Sequence, residues 1–193
     1  MKKLVIASQN LGKLKEIKQL LSDLSIEIVI PEKDLDVEET GSTFEENAML
    51  KAKAYQQLFP EFYILADDSG LEVDALDGRP GVYSKRYGTS DQDRNQKLLN
   101  ELESVPDEKR TARFISVMVL LGPTVHQIFQ GTVEGSIART IAGDQGFGYD
   151  PVFIPVGYTK SFAELGSEIK NTMSHRAKCL EKVKLFLKTT VTE

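Results

Sequence analysis

Two adjacent carboxylates, Asp67 and Asp68, directly follow the apolar run at residues 63–66. Neighbouring carboxylates repel each other unless a cation or solvent relieves them. Because consecutive residues of a strand point to opposite faces, one of the pair can enter a cleft while the other makes structural hydrogen bonds. Hard Mg²⁺ prefers such oxygens and commonly shares them with substrate phosphates. The pair therefore indicates a metal site or, equally, an Asx-type turn, which Asp-Ser-Gly also suits.

A second candidate lies between the first predicted strand and the first predicted helix and comprises Ser8, Gln9, Asn10, Leu11, Gly12 and Lys13. A helix N-terminus offers free backbone N–H groups and the positive end of a dipole, which suit a phosphate. Gly12 allows close approach of the backbone, and Lys13 adds a cation. The spacing is not that of a Walker A loop. The segment predicts either a phosphate cradle or a plain capped turn with a solvated lysine.

An acidic loop at residues 31–42 supplies a further carboxylate, Glu39. Glu39 could complete a metal site with Asp68, and the alternative is a solvated acidic loop. Lys51 lies on the helix predicted to follow. Because Lys51 and Lys53 are two residues apart, they face different ways, and at most one of them shares a face with a given site.

The glycine-rich segment at residues 143–151 carries an aromatic ring between glycines, Phe147. Its glycines do not follow the G-x-G-x-x-G order and no Rossmann-type helix follows, which excludes a dinucleotide-binding loop. Phe147 is suited to stack on a base, or to fill the core of a glycine-rich hairpin. Further along, Lys170, His175 and Arg176 offer donors for phosphate or for base carbonyl groups, although such residues are often ordinary surface.

Hydrophobic periodicity supplies the elements that must position these residues. It predicts strands at residues 4–7, 26–30, 63–66, 112–121, 125–133 and 152–154, with 135–141 as an extension of the same sheet. It predicts helices over about 14–24, from a capping box at Thr43 to Pro60, from an Asp91 cap to about Leu102, and from about Ser174 to Lys188. Because strand–helix units alternate with hairpins, the predicted class is α/β with a mixed sheet.

Composition excludes several classes of protein. The 193 residues are 40% hydrophobic with a net charge of −5, which argues against disorder and against a protein that coats nucleic acid. One cysteine cannot form an intrachain disulfide, and with two histidines it cannot build the usual zinc site. No apolar run is long enough for a secretory signal or a membrane span, so a cytoplasmic location is expected.

Six segments occur in one order along the chain: S-Q-N-L-G-K, E-E-T-G-S-T-F-E-E-N-A, A-D-D-S-G-L, G-R-P-G-V-Y-S, G-F-G-Y-D-P and S-H-R. Together they resemble the inosine triphosphate pyrophosphatase family over about residues 4–186. Each motif alone is weak, but six motifs in this order are far more specific than any single one.

The resemblance implies an elongated α/β protein that forms a single domain over residues 1–193. A long mixed sheet flanked by helices would carry two lobes, which are not independent domains, with the active site in the cleft between them. The implied partner is a second copy of the chain in a homodimer. Neither a nucleic acid polymer nor a membrane is expected as a partner. The implied reaction is Mg²⁺-dependent hydrolysis of inosine and xanthosine triphosphates and their deoxy forms to the monophosphate and pyrophosphate. Such an enzyme clears deaminated purines from the nucleotide pool.

The resemblance also implies roles for individual residues. Glu39 and Asp68 become the metal ligands, and Asp68 also the catalytic base, while residues 8–13 contact the triphosphate. The remaining implied substrate contacts are Lys51, Ser69, Phe147, Gly148, Tyr149, Asp150, Lys170, His175 and Arg176. The last three complete the base pocket, where their donors suit the carbonyl at purine position 6. One departure is Ile169, which stands where the family usually carries a glutamate.

Two other functions stay open from the sequence. A nucleotide-binding sensor would keep the binding residues but could dispense with Glu39 and Asp68. A phosphatase of similar fold would release orthophosphate instead of pyrophosphate. Within the implied reaction, Asp68 either takes the proton itself or only orients a hydroxide on the metal, and Asp67 could take part.

Overall fold

The computed structural model describes residues 2–32 and 35–190, so Lys33 and Asp34 of the predicted acidic loop lie outside the described residues. Its strands are β1 (Lys3–Ile6), β2 (Glu27–Val29), β3 (Tyr63–Val73), β4 (Thr111–Leu121), β5 (His126–Ile137) and β6 (Phe153–Pro155). Its helices are α1 (Leu11–Leu20), α2 (Phe44–Leu58), α3 (Asp91–Glu101), α4 (Phe162–Met173) and α5 (His175–Thr190), with short 3₁₀ turns at Asp74–Leu76, Gly81–Arg86 and Asp107–Lys109. No helix among these is long and apolar enough to cross a membrane.

The strands form one mixed sheet in the order β2-β1-β3-β4-β5-β6. Strand β1 pairs in parallel with β2 and β3, whereas β5 and β6 are antiparallel. The predicted α/β class, a mixed sheet flanked by helices, is confirmed. The chain divides into two compact units, the first comprising residues up to 68, 116–131 and from 176 onward, and the second comprising 69–115 and 132–175. The single domain with two lobes and a cleft stays a prediction.

In the first unit, alternate strand residues belong to opposite layers of the core. Leu4 and Ile6 of β1 pack with apolar residues of α1 and α5. Val5, between them, packs in a separate cluster with Ala48 and Ala52 of α2. Because side chains alternate across a strand, both faces of the sheet are apolar here and both are covered by helices.

In the second unit, the two faces of the strands differ. Phe114 of β4 packs against Phe153 and Phe162, with ring centroids 4.6 and 6.5 Å away. Its neighbour Arg113 lies on the other face and pairs with exposed carboxylates, including Glu134 at 3.3 Å. This half-polar pattern is typical of a sheet with one face on the core and one face in water.

Local signals place two elements as predicted. Thr43 caps α2, since its Oγ1 accepts from Glu46 N–H at 3.1 Å and the Glu46 carboxylate accepts from Thr43 N–H at 3.2 Å. The hairpin between β4 and β5 closes where Gly122 N–H donates to the Val125 carbonyl at 2.9 Å. Both predictions are confirmed because each depends on contacts within a few residues.

Some boundaries were predicted wrongly. Strand β3 continues through both aspartates to Val73 instead of ending after residue 66, since Lys13 and Lys51, which are distant in sequence, pair with the two carboxylates. Strand β5 ends at Ile137 instead of reaching residue 141, and α3 is capped by Ser90 instead of Asp91. Helix α4 was missed, and its backbone is non-helical at Gly166, where φ is 81°. The capping box of Ser161 and Glu164 was its available signal.

We expect Cys179 to be unreactive in the folded chain. It is fully buried in the core of the first unit, and burial raises the pKa of its thiol to about 12. Because the thiolate is the nucleophile, alkylation by iodoacetamide near neutral pH should be at least about 10³-fold slower than in the urea-unfolded chain. A mass-spectrometric time course measures both rates, and equal rates would contradict this burial.

Candidate functional site

One ammonium group lies between two carboxylates at the centre of the site in the first unit. Lys51 Nζ is 2.9 Å from Glu39 Oε1 and 3.0 Å from Asp68 Oδ1, and it also donates to the Asp67 carbonyl at 2.8 Å. Helix α2 supplies the lysine, the acidic loop supplies Glu39, and β3 supplies Asp68. The structure therefore brings together Glu39 and Asp68, the two residues predicted to share a cation.

The side chain of Asp67 has different partners from that of Asp68. Its Oδ2 lies 2.7 Å from Lys13 Nζ and 3.4 Å from Arg176 Nη2, and its Oδ1 accepts from Ser116 Oγ at 2.6 Å. The Asp67 side chain is only 1% exposed. As expected from the alternation of a strand, the Asp67 carboxylate is a buried structural anchor. The Asp68 carboxylate instead belongs with Lys51 and Glu39 to a group that we call the Lys51 cluster.

The two neighbouring carboxyl groups differ in their pKa values. Burial alone would raise the pKa of Asp67, but nearby cations, Lys13 first, outweigh burial and hold the pKa well below its usual range. Burial raises the pKa of Asp68, and the charge of Lys51 offsets this only in part. Burial acts to lower the pKa of Lys51, but the charges of Asp68, Glu39 and Asp67 together outweigh burial, so that pKa is raised. Asp67 thus stays ionised, whereas Asp68 takes up a proton more readily.

The carboxylate oxygens of the Lys51 cluster are suitable ligands for a hard divalent cation. In the described part of the chain, Asp68 Oδ2 is buried and has no hydrogen-bond partner. No group of three or more His, Cys, Asp or Glu side chains that could hold a metal occurs within residues 2–32 and 35–190. Two carboxylates such as Glu39 and Asp68, completed by substrate phosphate oxygens and water, are the usual ligands for Mg²⁺.

The segment predicted to cradle phosphate is a capped helix start. Asn10 is the N-cap of α1, since its Oδ1 accepts from Lys13 N–H at 3.0 Å, and its own N–H donates to Ser8 Oγ at 3.2 Å. Gln9 anchors the loop by donating to the Pro31 carbonyl at 2.7 Å. Leu11 and Gly12 form the first turn of the helix. The alternative of a solvated lysine is wrong, because the Lys13 ammonium is paired with the buried Asp67 carboxylate.

In the second unit, Lys170 links a carboxylate and an aromatic ring. Its Nζ lies 2.6 Å from Asp150 Oδ2 and 4.5 Å from the centroid of Phe147. Asp150 Oδ2 also accepts from Phe147 N–H at 2.9 Å. A Cβ on Gly146 would lie 2.1 Å from this oxygen, and Gly146 has φ 83°, so only glycine suits this turn. The half-buried Phe147 is therefore a ring held by a cation–π contact on a fixed loop.

Gly148 and Tyr149 anchor the same loop. The Gly148 carbonyl accepts from Asn95 Nδ2 at 2.9 Å, and its N–H donates to Asp91 Oδ2 at 2.7 Å. The buried Tyr149 hydroxyl donates to the Ser84 carbonyl at 2.9 Å. These contacts give both residues a structural duty, and contact of either with a substrate stays a prediction.

His175 and Arg176 open α5 but fall in different units. The buried His175 ring stacks on Phe114, with centroids 4.8 Å apart. The buried guanidinium of Arg176 pairs with the Glu16 and Asp67 carboxylates. Ser69 follows Asp68 in β3 and is half-buried. A single base pocket formed by Lys170, His175 and Arg176 stays a prediction, since their contacts differ.

The sequence analysis missed two residues of the network of ion pairs and hydrogen bonds around Asp67 in the first unit. Glu16, which holds Arg176, lies three residues after Lys13 on α1, and this spacing on one helix face was an available signal. Ser116 stands inside an apolar strand and binds a residue 49 positions earlier. No local pattern indicates such a contact.

A model described as the Ham1 family matches residues 4–186. A dITP/XTP pyrophosphatase of Oceanobacillus iheyensis is 46% identical to this chain over 197 residues, covering 98% of this chain and 100% of the relative. A dITP/XTP pyrophosphatase of Clostridium perfringens is 44% identical over 200 residues, covering 97% and 98%.

Solved structures agree with this match. A HAM1 protein from Coxiella burnetii has a TM-score of 0.88 at 40% identity, covering 98% of this chain and 100% of that chain. The Staphylococcus aureus Ham1 protein has a TM-score of 0.86 at 42% identity, covering 97% and 99%. The resemblance inferred from the six motifs is thereby confirmed, and the chain belongs to the Ham1 family.

Proposed function

We propose that this chain hydrolyses deaminated purine nucleoside triphosphates, those of inosine and xanthosine and their deoxy forms, to the monophosphate and pyrophosphate with Mg²⁺. The observation that carries the proposal is the pair Glu39 and Asp68 on one shared cation, with Asp68 Oδ2 buried and lacking a partner among the described residues. The activity that the names of its relatives state supports the same reaction.

The first unit carries the phosphate chemistry in this proposal. Glu39 and Asp68 would hold Mg²⁺, and the bound ion would neutralise charge on the phosphate oxygens and lower the pKa of a water molecule. Lys13 and Lys51 donate to the phosphates, with help from the amides at the start of α1. Asp68 Oδ2 orients the attacking water toward the α-phosphorus and accepts its proton, and pyrophosphate leaves. Asp67 stays ionised and holds Lys13 in position.

The second unit carries part of the recognition of the base. Phe147 stacks on the purine, and Lys170 donates to the carbonyl at position 6 while Asp150 fixes its ammonium. His175 adds a further donor from the same unit. Adenine, with an amine at position 6, would leave these donors unpaired, and sites of this kind discriminate by about 10⁴ to 10⁵.

Two further parts of the proposal come from family membership. We propose that the enzyme acts as a homodimer, with no nucleic acid polymer or membrane as partner. We also propose that it acts in the cytoplasm, on the free nucleotide pool.

Phosphorus NMR tests the reaction itself. With Mg²⁺ and inosine triphosphate we expect the signals of a monophosphate and pyrophosphate, because attack falls on the α-phosphorus. Adenosine triphosphate serves as the matched substrate and should remain intact over the same time, because its base carries an amine at position 6. Orthophosphate with a diphosphate would identify a phosphatase, and tight binding without turnover would identify a sensor. Either result would refute the proposed reaction.

Asp68→Asn tests the catalytic carboxylate. The amide cannot accept the proton, so we expect kcat to fall by about 10² to 10⁴ with the fold intact, as judged by circular dichroism. Asp74→Asn is the matched control, because Asp74 pairs with Arg113 and Thr111 on the exposed face of the second unit and should leave kcat unchanged. An Asp68→Asn variant with the wild-type kcat would remove Asp68 from the mechanism.

Phe147→Ala tests stacking on the base. Loss of the ring should raise KM by the equivalent of about 1 to 3 kcal/mol, measured in steady-state assays with inosine triphosphate. Phe147→Tyr keeps the ring and should keep KM near the wild-type value. An unchanged KM in the alanine variant would argue that the ring only packs against its own loop.

A further inference from the structure

One face of α2 contacts the acidic loop at three points between residues 35 and 41. Asn47, Lys51 and Tyr55 follow each other at intervals of four residues, so they share one helix face, which we call the 47–51–55 face. The Tyr55 hydroxyl accepts from Leu35 N–H at 3.3 Å, and Lys51 Nζ donates to Glu39 Oε1 at 2.9 Å. As the loop advances, its contacts step back along the helix. The loop therefore runs antiparallel to α2 on this face.

The third contact of the face is made by Asn47 with the backbone. Asn47 is fully buried, and its Oδ1 accepts from Gly41 N–H at 2.8 Å. A Cβ on Gly41 would lie 2.6 Å from Glu46 Cβ and 2.7 Å from Asn47 Oδ1. The loop backbone reaches this depth only because residue 41 has no side chain. It is thereby fixed two residues after Glu39 and one helical turn before Lys51.

The capping box does not perform this task. Ser42 and Thr43 donate their backbone N–H groups to the Glu46 carboxylate, which fixes the start of the helix. These bonds do not involve the Asn47 side chain. Asn47 instead holds the backbone before residue 42, which is the part that leads to Glu39.

We propose that Asn47 is a positioning residue that holds the Glu39 carboxylate in register with Lys51 and Asp68, so that Glu39 can serve as a ligand to the divalent cation. The inference rests on the proposed function, because it needs Glu39 as a metal ligand. If the loop were not fixed, Glu39 would lose side-chain and backbone freedom when it bound the cation, which would weaken binding. In a loop that is already fixed, this entropy cost does not reduce the affinity for the cation. Outer partners that orient metal ligands typically change metal affinity by about 10- to 100-fold.

The test measures the affinity for Mn²⁺ alone by electron paramagnetic resonance of the free ion, using the full chain. Asn47→Leu keeps the branching of the side chain but removes the acceptor oxygen, and we expect about 10- to 100-fold weaker Mn²⁺ binding.

A second variant and a control separate positioning from stability. Gly41→Ala displaces the loop from the other side of the same contact and should weaken Mn²⁺ binding equally, and it decides the question if Asn47→Leu does not fold. Lys53→Gly, at an exposed position of the same helix, lowers helix stability without touching the 47–51–55 face. It should lower the melting temperature but leave Mn²⁺ affinity unchanged.

The outcomes are distinguishable. Wild-type Mn²⁺ affinity in both Asn47→Leu and Gly41→Ala would overturn the positioning role, as would equal weakening in Lys53→Gly. The Mg²⁺ concentration that gives half-maximal turnover of inosine triphosphate is the second readout and should rise in parallel. A wild-type chain that neither binds Mn²⁺ nor needs Mg²⁺ would refute the proposed metal site itself, and this inference with it.

Discussion

A buried carboxylate is tolerated only when cations and donors replace the water it has lost, and β3 carries two such groups in succession. The alternation of the strand gives them different partners, so each needs its own compensation. Asp67 forms ion pairs with Lys13 of α1 and Arg176 of α5. Asp68 forms an ion pair with Lys51 of α2. The three helices that cover the first unit thus each supply a charge that the central strand requires.

This arrangement separates two duties that adjacent aspartates could otherwise confuse. Asp67 has both oxygens occupied and its pKa held low, which makes it an anchor for Lys13. Asp68 keeps one oxygen without a partner in the described residues, and burial raises its pKa. The ion pairs that stabilise this unit also hold in place the residues that we propose for catalysis. Lys51 neutralises the carboxylates that we propose as metal ligands.

The second unit holds its candidate residues mainly through hydrogen bonds between side chains and main-chain groups. Asn95, Asp91 and Asp150 each bond a main-chain group of the loop around Phe147, so the position of the ring depends on fixed peptide groups. Glycine at 146 is the condition for this, since a side chain there would collide with the Asp150 carboxylate. The first unit therefore holds its candidate residues by buried ion pairs, whereas the second unit adds anchoring of the loop backbone to its one described buried pair, Lys170 with Asp150.

Elements whose signals are local were predictable: the capping box at Thr43, the hairpin at Gly122 and the α/β class with its mixed sheet. The motifs also identified the family, because residue types in a fixed order need no coordinates. The sequence alone thus determined the class of fold, the family and the residue types available for chemistry. Only the tertiary structure decided that β3 continues through two aspartates and that Asn47 holds the loop of Glu39. The physical reason is that a buried charge or amide is stabilised by partners distant in sequence, which no local pattern specifies.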